Sequence, residues 1–302
     1  AALRRAAAIA DEAGAAGAAG AASAAKDAFE RLVTAGRAMD DWEMTRTALL
    51  GLARNLERTG QPGRAAAAYR DAWALAADLG DSRGEVEVLL ALGQVHLSLG
   101  EAGTALAYCE QAASLADQLD DSSLRAAAAN GLGAAHRALG DPAASLAQHQ
   151  TALHLARTTG EQLAEAHALA GIAAAHAALG DHQQAVDHYN SALPLARAAG
   201  DARLVSQTLL QLAAAHMQQG DAVQAREYYT GALAAADEAA DRRLAGAASA
   251  GLAGLDASAG DLVRATAGYE VALAALQESG DLHGELQARL ALAGVTLSAG
   301  DA

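Results

Sequence analysis

Glycine recurs every 40 residues, at positions 60, 100, 140, 180, 220, 260 and 300, and the next residue is Gln61, Glu101, Asp141, Asp181, Asp221, Asp261 or Asp301. A second break lies midway, at Gly80, Asp120, Gly160, Gly200, Ala240 and Gly280, followed by Asp81, Asp121, Glu161, Asp201, Asp241 and Asp281. A fixed period held over six cycles restricts the chain to an array of one small unit stacked on copies of itself.

Each break has a mechanism. Glycine after a helix accepts the left-handed conformation that closes a C-terminus. The acid beside it accepts hydrogen bonds from the free N–H groups of the next helix and faces its positive dipole end. Two breaks per period predict two helices of about 15–17 residues joined by tight turns, hence antiparallel. The units are 41–80, 81–120, 121–160, 161–200, 201–240 and 241–280, with a half unit at 281–302.

The apolar spacing between the breaks is helical. On the first helix of each unit Leu52, Leu92, Leu132, Ile172, Leu212, Leu252 and Leu292 are equivalent, and from the second unit a small residue follows: Gly93, Gly133, Ala173, Ala213, Ala253 or Ala293. On the second helix an i, i+4, i+7 stripe runs through Ala65, Tyr69 and Ala72. Its equivalents carry Cys109, His149, Tyr189, Tyr229 and Tyr269 in the middle. That stripe is the predicted buried face.

Leu-Gly-x-x-His-x-x-x-Gly at 92–100 and 132–140, with Ala-x-x-x-Tyr-x-x-Ala at 185–192, resembles the tetratricopeptide repeat. The 40-residue form resembles the long-helix arrays of Pins/LGN-type polarity scaffolds, rapsyn-like proteins and actinobacterial regulators. The resemblance covers 41–300. It implies an all-α fold, a right-handed α-solenoid of antiparallel helix pairs with about 14–15 helices, in which the first helices line an inner groove. The segment 1–40 stands apart. Ala25 and Phe29 align with Ala65 and Tyr69, so 21–40 reads as a second helix. Residues 13–22, rich in Ala and Gly, form either a loose helix or a joint, with helix favoured because Ala promotes it. Residues 1–12 read as a further helix. The chain begins at Ala1, and the expectation is a piece of a longer protein.

Several chemistries are disfavoured. The net charge is −15, with 21 Lys and Arg against 36 Asp and Glu, so no cationic surplus exists to displace counterions from nucleic acid. Thirteen of those acids are the turn residues named above, so they read as structural rather than as an acidic docking face. No stretch reads as a membrane span. Cys109 is the single cysteine, which excludes an intrachain disulfide and suits a cytoplasmic setting. Its place in the core stripe predicts a buried thiol.

The histidine ladder His96, His136, His176 and His216 invites a metal reading. Equivalent positions in neighbouring units lie on the order of 10 Å apart, one helix spacing, too far for a shared ion. The expected role is packing between the two helices of a unit. No phosphate loop, nucleophile elbow or zinc-hydrolase helix is present, so no enzyme activity, cofactor or metal is expected.

If the resemblance extends to binding, the groove positions are Arg54, Glu57, Arg58, Glu87, Leu90, Gln94, Leu97, Asn130, Arg137, His167, Gln207, Leu210, Met217 and Gln218, with Leu290 and Leu297 beyond them. The implied function is an interaction scaffold that holds a peptide or helical segment of a protein partner. The alternative is a ligand- or peptide-sensing regulatory array of a larger signalling or transcription-regulating protein. Departures narrow the ligand. No groove position carries the Lys with which co-chaperone members grip a C-terminal carboxylate. The recurrent Asn of polarity scaffolds is replaced by Gln94, Ala134, Ala174, Ala214 and Gly254.

Overall fold

The computed structural model describes residues 19–300, with side chains over 23–298. The helix expected over 1–12 and most of the Ala/Gly segment lie outside the described residues. Fourteen helices and no strand occur among those described. They are α1 (Ala19–Ala38), α2 (Trp42–Arg58), α3 (Pro62–Asp78), α4 (Ser82–Ser98), α5 (Ala102–Gln118), α6 (Ser122–Ala138), α7 (Pro142–Thr159), α8 (Gln162–Leu179), α9 (His182–Ala198), α10 (Ala202–Gln218), α11 (Ala222–Glu238), α12 (Arg242–Ser258), α13 (Leu262–Ser279) and α14 (Leu282–Gly300). The chain forms two compact units, 1–195 and 196–302.

Within each unit, consecutive helices pack as the period requires. In the first, α2 packs on α3, α4 on α5 and α6 on α7, and each pair packs on the next. The first helices also touch directly, α4 to α6 and α6 to α8. In the second unit α10 packs on α11 and α12 on α13, with α10 touching α12 and α12 touching α14. First helices thus stand side by side in both units.

The turns follow the predicted chemistry. At the α3–α4 turn, the N–H of Gly80 donates to the Ala77 carbonyl at 3.0 Å and that of Asp81 to Ala76 at 2.9 Å. Gly80 has φ +67°. Asp40, Asp120 and Ala240 hold the same left-handed conformation at φ +54°, +50° and +50° without the freedom of glycine. Caps form at Asp81, whose carboxylate accepts from the Gly84 N–H at 2.9 Å, and at Asp241, which accepts from Leu244 at 3.0 Å. Gln61, Glu101 and Glu161 make no side-chain cap. Their longer side chains go elsewhere: Glu101 to His96 and Glu161 to the Ser123 hydroxyl.

Several caps also tie one hairpin to the next. Arg83 bonds Asp121, and Arg203 reaches Asp241 at 2.9 Å, each across 38 residues. Arg46 similarly bonds Asp81. Backbone donation from Gly84 with Arg46 lowers the Asp81 pKa, and donation from Leu124 with Arg83 lowers that of Asp121.

The second-helix stripe is buried as expected: Tyr69, Cys109, His149, Tyr189 and Tyr269 are 8% exposed or less, and Tyr229 is half-buried. Burial raises the Cys109 thiol to about 11, which leaves it protonated and inert. Each stripe residue needs room on both sides. The Cys109 sulfur would lie 2.7 Å from a Cβ on Gly93 and 2.9 Å from one on Gly131. His149 stands likewise between Gly133 and Gly171, while Phe29 faces Gly51 and Tyr229 faces Gly251. Positions 51, 131, 171 and 251 form a second small-residue register, on the first helix of the following hairpin.

Candidate partner-binding site

Three of the ladder histidines, His96, His176 and His216, bridge the two helices of their own hairpin, while His136 has Gln148 at the corresponding second-helix position. His96 stacks on Tyr108 with centroids 5.3 Å apart and its Nδ1 lies 2.6 Å from the Glu101 carboxylate. His176 stacks on His188 at 5.6 Å and meets Asp181 at 3.4 Å. His216 lies 5.2 Å from Tyr228 and 3.7 Å from Asp221. The spacing is i, i+5, i+12: a histidine, the turn acid and a ring on the second helix. No group of three or more potential metal ligands occurs among the described residues.

The candidate groove residues fall on the first helices, and the structure sorts them. In the first unit, Arg54, Arg58, Glu87, Gln94, Arg137 and His167 are exposed, whereas Glu57, Leu90, Leu97 and Asn130 are half-buried. Glu57 accepts the Tyr69 hydroxyl proton at 2.7 Å. Burial and the Glu57 charge hold that phenol well above its usual pKa, with Arg54 acting in the opposite sense. Glu87 pairs with Arg83 at 3.5 Å. Leu90 packs against a core cluster of Val86, Leu89, Ala112, Ala116 and Leu124.

Asn130, Arg137 and His167 converge on one buried ring. His149 Nδ1 lies 3.0 Å from Asn130 Oδ1. Since that oxygen only accepts, Nδ1 carries the proton and donates. Burial, then the charges of Arg137 and His167, lower the His149 pKa to about 4. In the sequence His149 falls in the core stripe and Asn130 among the groove positions, and nothing local links the two.

In the second unit Gln207, Leu210 and Met217 are half-buried and Gln218 is exposed. Leu210 packs against Ala236, Leu244 and Ala245. Met217 lines an open cleft with Gly254, Ala257, Tyr269, Gly294 and Val295. On α14, Leu290 and Leu297 are 66% and 71% exposed. No helix among the described residues is long and apolar enough to cross a membrane.

The tetratricopeptide repeat family matches residues 84–158 and 124–198, two windows offset by one 40-residue period. With the helix pairs described above, this identifies tetratricopeptide repeats over residues 84–198. No curated protein sequence matches it. Among solved structures it is similar to a Rap protein complexed with competence and sporulation factor, with TM-score 0.64 and 14% identity over 91% of this chain and 80% of that one. It is also similar to a signal transduction ATPase with numerous domains that carries a tetratricopeptide repeat sensor, from Pyrococcus horikoshii: TM-score 0.58, 17% identity, 90% of this chain. The match spans 45% of that ATPase, under half its length. Aspartyl phosphate phosphatase F from Bacillus subtilis gives TM-score 0.56 at 11% identity, over 84% of this chain and 71% of that one. At these identities the likeness is one of fold.

Proposed function

We propose that the chain is an interaction module whose first helices hold a peptide or helical segment of a protein partner. The observation that supports this is the contrast along those helices. Positions such as Leu92, Ile172 and Leu212 repeat and are buried, while the exposed row changes from Arg54 and Arg58 through Gln94 to Arg137 and His167. A scaffold needs the first kind to recur; selective recognition uses the second. Half-buried Leu90 and Leu97 add apolar contact beside those polar groups. The test is a photo-crosslinking side chain at Gln94, compared with one at Glu110 on α5. Capture through Gln94 and none through Glu110 supports the reading; the reverse places the partner on the second helices.

A second reading is a sensor array within a larger signalling protein. It draws on the ATPase whose sensor has this fold and of which the match spans under half. A partner that is itself a nucleotide-binding or DNA-binding regulator would favour it.

A further inference from the structure

Helix α14 is apolar on two opposite faces. Its inner face packs Ala288 and Val295, 3% and 6% exposed, into a cluster with Ala253, Ala265, Tyr269 and Leu276. On the far side stand Leu282, Leu286, Leu290 and Leu297, exposed by 77%, 57%, 66% and 71%, with Ala293 exposed among them. At 3.6 residues per turn, positions 286, 290, 293 and 297 fall within roughly 60° of one another, opposite Ala288. A helix apolar all round belongs in an interior, yet α12 and α13 cover one side of α14 only.

This outward seam does not continue the repeat. In the six preceding hairpins the position of residue 289 holds Leu49, Leu89, Ala129, Leu169, Leu209 and Ser249, all 3–7% exposed. Arg289 stands there instead, its side chain 59% exposed and paired with Glu285 on its own helix. Conversely, Leu286 takes the place of Val86, Ala126, Ala166 and Ser206, each at 0% exposure. A further hairpin stacked in the same register would enclose the guanidinium and crowd the larger leucine. The apolar row is displaced from that register towards the free side.

The displaced row matches itself. The spacing 286, 290, 293, 297 is that of the a and d positions with which two helices interlock. In two antiparallel copies of α14, with a two-fold axis between residues 291 and 292, Leu286 faces Leu297 and Leu290 faces Ala293, and each pair occurs twice. Large against small near the axis lets the helices approach, and leucines close both ends. The chain carries a net charge of −15, but this face is spared: the one acid of 282–298, Glu285, is 12% exposed. The four leucines present on the order of 500 Å² per copy, so pairing removes about 1,000 Å², where specific interfaces begin.

We propose that α14 is a self-association surface whose occupant is α14 of a second copy of this chain, antiparallel about a two-fold axis. Leu290 and Leu297, read from the sequence as the far end of a groove, then serve an isologous contact.

The test is sedimentation of the full chain from about 1 to 100 µM, a range that brackets dimers of this interface size. A reversible monomer–dimer equilibrium is expected. Leu290→Glu should weaken it roughly hundredfold or more, since each dimer would bury two unpaired carboxylates. Its circular dichroism should be unchanged, because position 290 is exposed. Val223→Glu, at a valine 76% exposed on α11, should leave the equilibrium as it was. A chain carrying Leu286→Cys should form a disulfide with one carrying Leu297→Cys. Neither should do so with itself, because identical positions lie on the order of 16 Å apart along the antiparallel pair. A chain monomeric throughout that range, a dimer indifferent to Leu290→Glu, or a disulfide between two Leu286→Cys chains overturns the proposal.

Discussion

The His149 ring donates from Nδ1 to the Asn130 side-chain oxygen at 3.0 Å while packed between Gly133 and Gly171. The pairing joins a second helix to the first helix of its own hairpin at a site with almost no water access. A neutral histidine satisfies it, whereas a charged one would carry a buried cation near Arg137 and His167.

The consequence is acid sensitivity. The folded pKa of about 4 lies below the ordinary 6.5. The unfolded chain therefore binds the proton first, and the contribution is full above pH 6.5 and falls away as pH drops towards 4. Its size is on the order of 3 kcal/mol. His149→Tyr, which installs the residue found at positions 69, 189, 229 and 269, should flatten this part of the stability–pH curve in urea titrations. An unchanged slope between pH 6.5 and 4 would show that His149 is not the responsible group. Asp81 and Asp121, with pKa values lowered, lose their contribution only at still lower pH.

The glycines beneath the stripe make a second expectation. Gly171→Ala would place a Cβ 2.3 Å from the His149 ring. Overpacking of that kind costs about 1–3 kcal/mol. Gly294→Ala, on a helix with open space around the new methyl, should instead stabilise by about 0.5–1 kcal/mol. Chemical denaturation of the two variants separates a glycine needed for contact from one that is merely tolerated.

Ala240 closes α11 at φ +50°, where a Cβ is strained. Four of the other midway breaks, Gly80, Gly160, Gly200 and Gly280, use glycine for the same conformation. Ala240→Gly should raise stability by about 1 kcal/mol, measurable as a shift of the urea midpoint. A loss of stability would mean that the methyl makes a contact worth more than the strain.

The helices and their ends were legible because turn chemistry repeats: Gly80 and Asp81 announce a C-cap and an N-cap by residue type alone. The buried stripe was legible through its spacing. What the sequence reading missed depends on contacts between elements. Asn130 and His149 are 19 residues apart on different helices, and nothing local in either residue marks the pair. Gly131 and Gly171 do repeat at 40 residues, but their purpose emerges only when Cys109 and His149 are seen to lie over them. The same holds for the Arg83–Asp121 tie, which turns a cap into a link between hairpins. For the candidate groove, register located the residues; partners such as Tyr69 for Glu57 and the Leu90 core contact appeared only in three dimensions.

The central claim is that non-repeating side chains on the first helices carry recognition. The direct test compares partner capture by the native chain and by a chain with Leu97, Arg137 and Met217 replaced together by Ala, with helicity followed by circular dichroism. The claim predicts that the partner bound by the native chain is lost while helicity is unchanged. Undiminished capture by the substituted chain would contradict it.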